Sequence, residues 1–356
     1  MKIAMLTSGG DCQGLNATMR GVAKTLYNKL EDVTIYGILD GYKGLIEGNY
    51  KKLKKEDFSG ILTLGGTILG TSRQPFKKMQ IIEDSGIDKV KAMKETYKKL
   101  DIDCLVVLGG NGTHKTANLL REEGLNVVTL PKTIDNDLWG TDVTFGFHSA
   151  IDVATDVIDR IHTTATSHGR IFVIEIMGHK AGWLTLYSGI AGGADIILIP
   201  EIPYDINKVK KEIERRTADN KGFSIIAVAE GAISVEESKM SKREFKAYRE
   251  SMKQPSIAYR VADEIMAITN HEVRVAVPGH VQRGGAPNPY DRVLCTRFGA
   301  FAAELIKAKK FGYMVGMKND EVVAVHLSEV AGKLKTVPAD DQVIKAARKV
   351  GISFGD

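Results

Sequence analysis

An apolar run followed by a glycine-rich turn recurs three times in the first third of the chain, and this repeat constrains the fold most strongly. In the first, residues 3–6 lead into the turn 7–14, and in the third, residues 104–108 lead into 109–113 and a helical pattern at 114–123. A strand, a tight glycine turn and a helix place backbone N–H groups and a helix N-terminus where a phosphate can bind. The repeat therefore predicts an α/β fold with anionic ligands at the strand ends.

The alternation of strand and helix patterns continues to the end of the chain; no longer segment of sequence is duplicated, and no low-complexity linker interrupts the alternation. A length of 356 residues suits about two domains. The composition, 43% apolar and 26% charged, is typical of a globular protein. We therefore expect two doubly wound parallel-sheet (Rossmann-like) domains.

The charge pattern indicates a small anionic ligand better than it indicates a large anionic partner. The net charge is only +5, and the lysine clusters at 51–55, 208–211 and 307–310 are scattered and typical of solvated helix faces. We expect neither nucleic acid nor a membrane as a partner, because no apolar stretch approaches the roughly 18 residues of a membrane span. The three cysteines share no metal-ligand spacing, and no leader pattern starts the chain. These features predict a cytoplasmic protein.

The stretch 131–137, Pro-Lys-Thr-Ile-Asp-Asn-Asp, groups the largest number of potentially catalytic side chains in the sequence. It follows a short apolar run and so emerges at the carboxyl end of a predicted strand. Asp135 and Asp137, with Thr133 and Lys132 beside them, supply a possible base, a metal ligand and an anion contact, which phosphoryl transfer needs. Alone, the stretch is equally compatible with a polar turn that caps a helix.

Several motifs, taken together and in order along nearly the whole chain, resemble those of the 6-phosphofructokinase family. Their agreement is far more specific than any single glycine motif. The matching segments are Ser8-Gly9-Gly10-Asp11 with Gly14-Leu15-Asn16, residues 65–70, Thr133-Ile134-Asp135-Asn136-Asp137 with Gly140-Thr141-Asp142, Met177-Gly178 with Gly182, and residues 279–285.

The resemblance implies two domains with the active site in the cleft between them. Residues 1–146 and 282–332 would bind the phosphoryl donor, and residues 147–281 and 333–356 would bind fructose 6-phosphate. The implied reaction is the glycolytic, Mg²⁺-dependent transfer of the γ-phosphate of ATP to the 1-hydroxyl of fructose 6-phosphate. The products are fructose 1,6-bisphosphate and ADP. The implied enzyme is an allosteric homo-oligomer, a tetramer or a dimer, with sites shared between subunits.

The resemblance also implies roles for individual residues. Asp135 would take the proton from the sugar hydroxyl, with Thr133 and Asp137 bracing the site. The implied donor contacts are Gly10, Tyr42, Arg73, Gly110, Asn111, Gly112 and Thr113, with Asn111 as the metal ligand. The implied substrate contacts are Thr133, Ile134, Asp135, Arg170, Met177, Gly178, His179, Glu230, Arg274, His280, Val281, Gln282 and Arg283.

Four of these residues would bind the distal phosphate of the sugar: Arg170, Arg274, His280 and Arg283. Guanidinium groups suit this task because they make forked contacts to phosphate. Arg170 and Arg274 match the two arginines that reach in from a neighbouring subunit in the family. Glu230 would accept a hydrogen bond from a sugar hydroxyl.

Two positions depart from the family pattern. Asn111 stands where the family's glycine-rich loop carries an aspartate, so the implied metal ligand keeps an oxygen but lacks the charge. His179 stands where an arginine commonly follows Met177-Gly178. A neutral imidazole there weakens stabilisation of phosphate, unless Lys180 or Lys132 substitutes.

The donor is the main alternative that the sequence leaves open. Lys132 is typical of pyrophosphate users of the family. Gly112 is typical of ATP users, because pyrophosphate users carry an aspartate there that would repel the α-phosphate. We favour ATP on this ground. Asn111 and His179 also allow a catalytically weak sugar-phosphate sensor, which Asp135 disfavours. A lipid or NAD kinase would explain only residues 109–113.

Overall fold

The computed structural model describes residues 1–82, 86–219, 221–252, 254, 256–269 and 271–356. The strands are β1 Lys2–Ser8, β2 Thr34–Ile38, β3 Tyr50–Leu53, β4 Cys104–Gly109, β5 Val127–Pro131, β6 Ile171–Ile176, β7 Ile196–Leu198, β8 Ser224–Ala229, β9 Val273–Ala276, β10 Tyr313–Lys318 and β11 Glu321–His326. The α-helices are α1 Leu15–Lys29, α2 Tyr42–Glu47, α3 Lys89–Lys99, α4 Asn111–Glu122, α5 Phe147–His168, α6 Trp183–Ala191, α7 Ile206–Ala218, α8 Val235–Ser238, α9 Lys242–Ser251, α10 Ile257–Ile268, α11 Pro289–Lys307, α12 Leu327–Val330 and α13 Gln342–Lys349. No helix in these described residues is both long and apolar enough to cross a membrane.

The chain divides into two compact units, each with its own sheet and its own hydrophobic core. Unit 1 comprises Met1–Ile134, Leu138–Ser149 and Arg283–Leu334, and unit 2 comprises Asp135–Asp137, Ala150–Gln282 and Lys335–Asp356. Both sheets are built mainly from parallel strands that alternate with helices. The predicted α/β class with parallel sheets is confirmed.

The seven-stranded sheet of unit 1 has the order β11-β10-β5-β4-β1-β2-β3. Its middle strands are parallel, and β3 and β11 run antiparallel at the two edges. Every residue of β4 and β5 is buried, as expected for parallel strands covered on both faces. Because β1, β4 and β5 are neighbours, the turns that follow them meet at one edge of the sheet.

The lysine cluster at 51–55 is not a helix face, so that prediction was wrong for all its lysines except Lys55, which begins the 3₁₀ helix Lys55–Phe58. The first residues of the cluster belong to the edge strand β3, where Lys51 and Lys52 are exposed and Leu53 is buried. Exposed lysines on an edge strand hinder pairing with another chain. A strand of four residues with a single buried side chain shows no period that the sequence could reveal.

The sheet of unit 2 has four parallel strands in the order β7-β8-β6-β9. Ile176 at the end of β6 pairs with Ala229 at the end of β8. The segments that leave β6 and β8 therefore start side by side, and the N–H of Glu230 donates to the carbonyl of Ile176 at 2.8 Å. This places Met177 and Glu230 at the same carboxyl edge.

Candidate active site

The turns after β1, β4 and β5 meet at the carboxyl edge of unit 1, since Ser8 pairs with Gly109 and Gly109 with Pro131. A Cβ at Gly109 would lie 2.2–2.5 Å from the side chain of Thr113, so only glycine fits there. This close approach lets α4 begin at Asn111, directly after the strand. The predicted glycine turn at 109–113 is therefore largely the first turn of a helix. Its N–H groups and the positive end of the helix dipole suit an anion.

The first turn of α4 has one open position and one fixed position. Outside the neighbouring residues and the backbone of α4 itself, no atom of the described residues lies within 4 Å of a Cβ built on Gly112. Thr113 is buried, and its carbonyl accepts a hydrogen bond from the hydroxyl of Tyr42 at 2.9 Å. Burial raises the pKa of Tyr42, so the hydroxyl keeps its proton and remains a donor. The predicted donor contacts at 42, 112 and 113 thus lie at one helix start.

Lys132 links two of these turns. Its side chain is only 4% exposed, and its ammonium donates to the carbonyl of Gly10. Arg283 also lies at this turn in unit 1, where its Nη1 donates to the carbonyl of Asp11 at 3.2 Å. A Cβ on Gly10 would lie 3.0 Å from the same nitrogen. Both basic side chains therefore hold the glycine turn after β1 through its backbone carbonyls.

Arg73 lies on a loop that is tied to the same turn. The N–H of Gly9 donates to the carbonyl of Ser72 at 3.1 Å, and the hydroxyl of Thr71 donates to the carbonyl of Gly9 at 2.7 Å. Arg73 itself is exposed. The backbone beside this arginine is therefore fixed, and its side chain projects into solvent.

Asn111 has its two side-chain atoms in different surroundings. Nδ2 donates to the carbonyl of Lys333 at 2.7 Å, which fixes which end of the amide is oxygen. Oδ1 is buried and accepts no hydrogen bond from the residues that the structure describes. The side-chain nitrogen of Asn111 is therefore fixed by a hydrogen bond, whereas its oxygen is available to bind a ligand.

No group of three or more His, Cys, Asp or Glu side chains within the described residues could hold a metal ion. Mg²⁺ does not need such a group, because it usually keeps several waters and takes one or two protein ligands together with substrate phosphates. The buried, unpartnered Oδ1 of Asn111, beside the first turn of α4, fits that requirement.

The Asp135–Asp137 turn is held by Lys335, a residue 199 positions beyond Asn136 that the sequence did not point to. Asn136 has a φ of +51°, a left-handed conformation that asparagine tolerates. Its Oδ1 accepts from Nζ of Lys335 at 3.0 Å, and the carbonyl of Asp137 accepts from the N–H of Lys335 at 2.9 Å. Asp135 is half-buried at this fixed turn.

Thr133 and Ile134 lie just before that turn and belong to unit 1. Both are buried, and the carbonyl of Thr133 accepts a hydrogen bond from the hydroxyl of Thr144 at 2.7 Å. The backbone that leads to Asp135 is therefore fixed as well.

Glu230 shapes the turn after β6. Its Oε1 accepts hydrogen bonds from the N–H groups of Gly178 at 3.2 Å and His179 at 2.6 Å. His179 is exposed and has a φ of +54°. A Cβ on Gly231 would lie 2.1 Å from the carbonyl oxygen of His179, so the turn requires glycine there. A sugar hydroxyl bound by Glu230 would meet its other oxygen, Oε2.

Gln282 is an anchor at the same edge. It is fully buried; Nε2 donates to the carbonyl of Gly279 at 3.1 Å, and Oε1 accepts from the N–H of Met177 at 3.1 Å. His280 and Val281, on the same short 3₁₀ helix, are exposed. The anchored helix therefore presents these two side chains to solvent.

Arg170 and Arg274 lie at the opposite edge of the unit 2 sheet. Arg170 precedes β6 and Arg274 is the second residue of β9, whereas Met177 follows the carboxyl end of β6. The six residues of β6 span about 20 Å. Within unit 2, the structure therefore does not bring the two arginines together with Met177, Gly178 and Glu230.

Comparison with known proteins identifies the family. The family model described as Phosphofructokinase matches residues 2–306. The ATP-dependent 6-phosphofructokinase of Spirochaeta thermophila is 59% identical over 355 residues, which cover 99% of this chain and 97% of that protein. The ATP-dependent 6-phosphofructokinase 3 of Bacteroides thetaiotaomicron is 46% identical over 356 residues and 100% of both chains.

Solved phosphofructokinase structures share the fold. The phosphofructokinase of Saccharomyces cerevisiae matches with a TM-score of 0.79 and 31% identity, over 92% of this chain and 45% of the yeast chain. A pyrophosphate-dependent phosphofructokinase of Nitrosospira multiformis matches with a TM-score of 0.82 over 100% of this chain and 92% of that one. Its identity of 19% shows a shared fold only. The chain therefore belongs to the phosphofructokinase family.

Proposed function

We propose that this chain transfers the γ-phosphate of ATP to the 1-hydroxyl of fructose 6-phosphate and releases fructose 1,6-bisphosphate and ADP. The relatives at 59% and 46% identity, both named ATP-dependent, support the reaction. The observation that carries the choice of donor is the open space at Gly112 on the first turn of α4. The inner phosphate of a nucleotide can pass close to this backbone because glycine has no Cβ.

The nucleoside of ATP has a place beside that helix. An open groove of about 420 Å³ lies in unit 1 and is lined by residues that include Phe76, Lys115, Leu119 and Gly332. Its lining is mixed: Phe76, Leu119 and Ala331 are apolar, and the polar side chains are Gln80, Lys115, Asn118 and Glu122. The volume lies within the range of small-molecule sites. Lys115 is on α4, so the groove lies along the same helix whose first turn would hold the phosphates.

Asp135 acts as the base for the sugar hydroxyl. A carboxylate is a weak base for an alcohol in the ground state, so the proton leaves late, as bonding to phosphorus makes the hydroxyl more acidic. The loose transition state of phosphoryl transfer permits this order of events. The Lys335 contacts that fix Asn136 and Asp137 keep the backbone around Asp135 in place.

Asn111 would hold Mg²⁺ through Oδ1, the buried oxygen that has no partner among the described residues. The chemistry that the ion would supply there is neutralisation of charge on the donor phosphates. The amide nitrogen of Asn111 keeps the side chain oriented through the carbonyl of Lys333. An aspartate at this position could not donate that hydrogen bond, which gives a physical reason for asparagine in this chain.

Arg170 and Arg274 bind the 6-phosphate in the site of a neighbouring copy. Their position at the amino edge of the unit 2 sheet, about 20 Å from the turn after β6, supports this arrangement. The proposed protein is therefore a homo-oligomer, a dimer or a tetramer. We place it in the cytoplasm, as the sequence features predict. His280 and Arg283 complete the phosphate contacts.

A pyrophosphate-dependent enzyme is the second candidate because of Lys132. The ammonium of Lys132 is buried and donates to the carbonyl of Gly10, which supports a role in holding the glycine turn. Purified protein with fructose 6-phosphate and Mg²⁺, offered ATP or pyrophosphate in parallel, separates the candidates. We expect the higher kcat/KM with ATP, and a higher value with pyrophosphate would contradict the donor assignment.

A further inference from the structure

A single carboxylate, Glu272, lies between the two arginines at the amino edge of unit 2. The neighbouring parallel strands β6 and β9 pair Ile171 with Val273, which places Arg170 beside Glu272. Arg274 follows Glu272 by two residues and so lies on the same face of the sheet. The strand register alone therefore brings two positive groups and one negative group together.

Glu272 contacts both guanidinium groups. Its Oε2 lies 2.8 Å from Nε of Arg170, and its Oε1 accepts a hydrogen bond from Nη2 of Arg274. The Arg170 guanidinium holds the pKa of Glu272 below its usual value, so the carboxylate stays ionised. The terminal nitrogens of Arg170 make no hydrogen bond to another described residue. All three side chains remain partly exposed, with 29% for Arg170, 48% for Glu272 and 49% for Arg274.

We propose that Glu272 is a positioning residue that holds Arg170 and Arg274 together as one phosphate-binding pair. The inference rests on the proposed function, in which these arginines bind the 6-phosphate of the sugar. Glu272 does not touch the substrate. It keeps the two guanidinium groups adjacent and leaves the terminal nitrogens of Arg170 for the phosphate oxygens.

Three effects decide how the loss of this carboxylate changes binding. Without it, the two guanidinium groups repel each other, and both long side chains gain rotamer freedom that the phosphate must then remove. Against these two effects, Glu272 itself repels the phosphate. That repulsion is weakened because the site is open to solvent and salt. The guanidinium repulsion and the gained rotamer freedom outweigh the removal of the repulsion between Glu272 and the phosphate, so the loss of the carboxylate weakens phosphate binding.

The test uses Glu272→Gln, which keeps the size of the side chain and removes its charge. We expect its Kd for fructose 6-phosphate, measured by calorimetry without a phosphoryl donor, to rise about 5- to 30-fold. KM for the sugar should rise in parallel while kcat changes by less than about twofold. Glu214→Gln is the matched control, because Glu214 is also an exposed carboxylate of unit 2 in an ion pair, with Lys210 at 3.7 Å. It should bind like the wild type.

A double-mutant cycle shows whether Glu272 acts through the arginines. In an Arg170→Ala/Arg274→Ala background, Glu272→Gln should change Kd by less than about twofold. The proposal would be overturned if Glu272→Gln changed Kd equally in both backgrounds. It would also be overturned if the single variant Glu272→Gln bound fructose 6-phosphate as tightly as the wild type, or more tightly. If the arginine variants themselves bind fructose 6-phosphate like an active wild type, the sugar-phosphate assignment fails and the proposal fails with it. If they bind weakly and Glu272→Gln does not, only the role of Glu272 is wrong.

Discussion

The donor turns of unit 1 and the arginine pair of unit 2 are built in opposite ways. In unit 1, the expected phosphate site consists of backbone groups on buried strands, packed so closely that Gly109 admits no Cβ. In unit 2, Arg170 and Arg274 are partly exposed side chains that contact a partly exposed carboxylate. The first site is fixed by packing, and the second by electrostatic contacts at the surface.

This difference matches what each site is proposed to do. Backbone N–H groups at a helix start are in place before the donor arrives, so their reorganisation cost is small. Exposed ion pairs contribute little to stability and rearrange readily. The arginine pair can therefore adjust to a phosphate presented by a neighbouring copy while it keeps its contacts with Glu272. Substitutions at the close-packed positions of the donor turns, such as Gly109, should thus affect folding and catalysis, and those at the arginine pair should affect sugar binding alone.

The largest effect on activity should come from Asp135, which belongs to neither of these two binding sites but is the proposed base for the sugar hydroxyl. Asp135→Asn should keep the Kd for fructose 6-phosphate within a few fold and lower kcat by about two to four orders of magnitude. Steady-state kinetics together with calorimetry separate the two quantities. Near-normal turnover would remove Asp135 from the mechanism.

The next largest effect concerns the arginine pair. Arg170→Ala and Arg274→Ala should each raise KM for fructose 6-phosphate by about 10- to 150-fold, because each removes a charged contact to phosphate. The melting temperature should stay near that of the wild type, since both side chains are partly exposed. Arg160→Ala, which removes another exposed arginine of unit 2 in an ion pair, is the control.

Mixed oligomers test whether the arginines act across subunits. Asp135→Asn and Arg170→Ala subunits, each inactive or impaired alone, should regain activity when they assemble together, because one composite site then contains neither substitution. Confirmed mixed oligomers that show no recovery would place each site within a single subunit.

The sequence could predict the strands and turns of the donor side because their signals are local. The apolar runs before residues 7 and 109 and the glycines after them define buried strands and tight turns directly. The start of α4 was placed three residues too late, at His114 instead of Asn111. Its N-cap is Gly110, which makes no side-chain cap hydrogen bond, so the usual cap signal is absent.

The contacts that link distant segments could not be predicted. Lys335 holds Asn136 across 199 residues, and the Arg170–Glu272 contact spans 102. Such pairs depend on which strands become neighbours, and periodicity does not encode strand order. The same limit explains why Arg170 and Arg274 were recognised only through the family resemblance, and Glu272 was not recognised at all.

A smaller effect concerns stability, and it comes from a buried histidine on the donor side. His114 on α4 is fully buried; Nδ1 contacts the carbonyl of Gly110 at 2.8 Å, and Nε2 has no partner among the described residues. Burial lowers the pKa of His114 to about 4. Between about pH 6.5 and 4 the unfolded chain therefore binds a proton that the folded chain refuses. Stability should fall as the pH falls through this window, by about 2 kcal/mol from this group between pH 7 and 5.

Urea unfolding at pH 7 and pH 5 measures this loss. His114→Gln should reduce the difference between the two pH values, and His168→Gln, which changes an exposed histidine, should leave it unchanged. An equal pH dependence in His114→Gln and the wild type would mean that other groups account for it.

The smallest effect concerns the one open position of the donor turn. Among the described residues, a Cβ at Gly112 meets no atom within 4 Å apart from its chain neighbours and its own helix backbone, so a side chain there should not disturb folding, in contrast to Gly109. Gly112→Asp nevertheless places a carboxylate where the α-phosphate of ATP would pass, and charge repulsion should lower kcat/KM for ATP by at least about tenfold, or ~1.4 kcal/mol. Any pyrophosphate-dependent activity should fall less, because pyrophosphate has no α-phosphate to bring there. Gly112→Ala fills part of the space without adding a charge, so comparing it with Gly112→Asp separates the effect of steric obstruction from that of charge repulsion. If Gly112→Asp melts like the wild type and still uses ATP equally well, the nucleotide does not pass this position, and the donor site must be sought elsewhere on the carboxyl edge of unit 1.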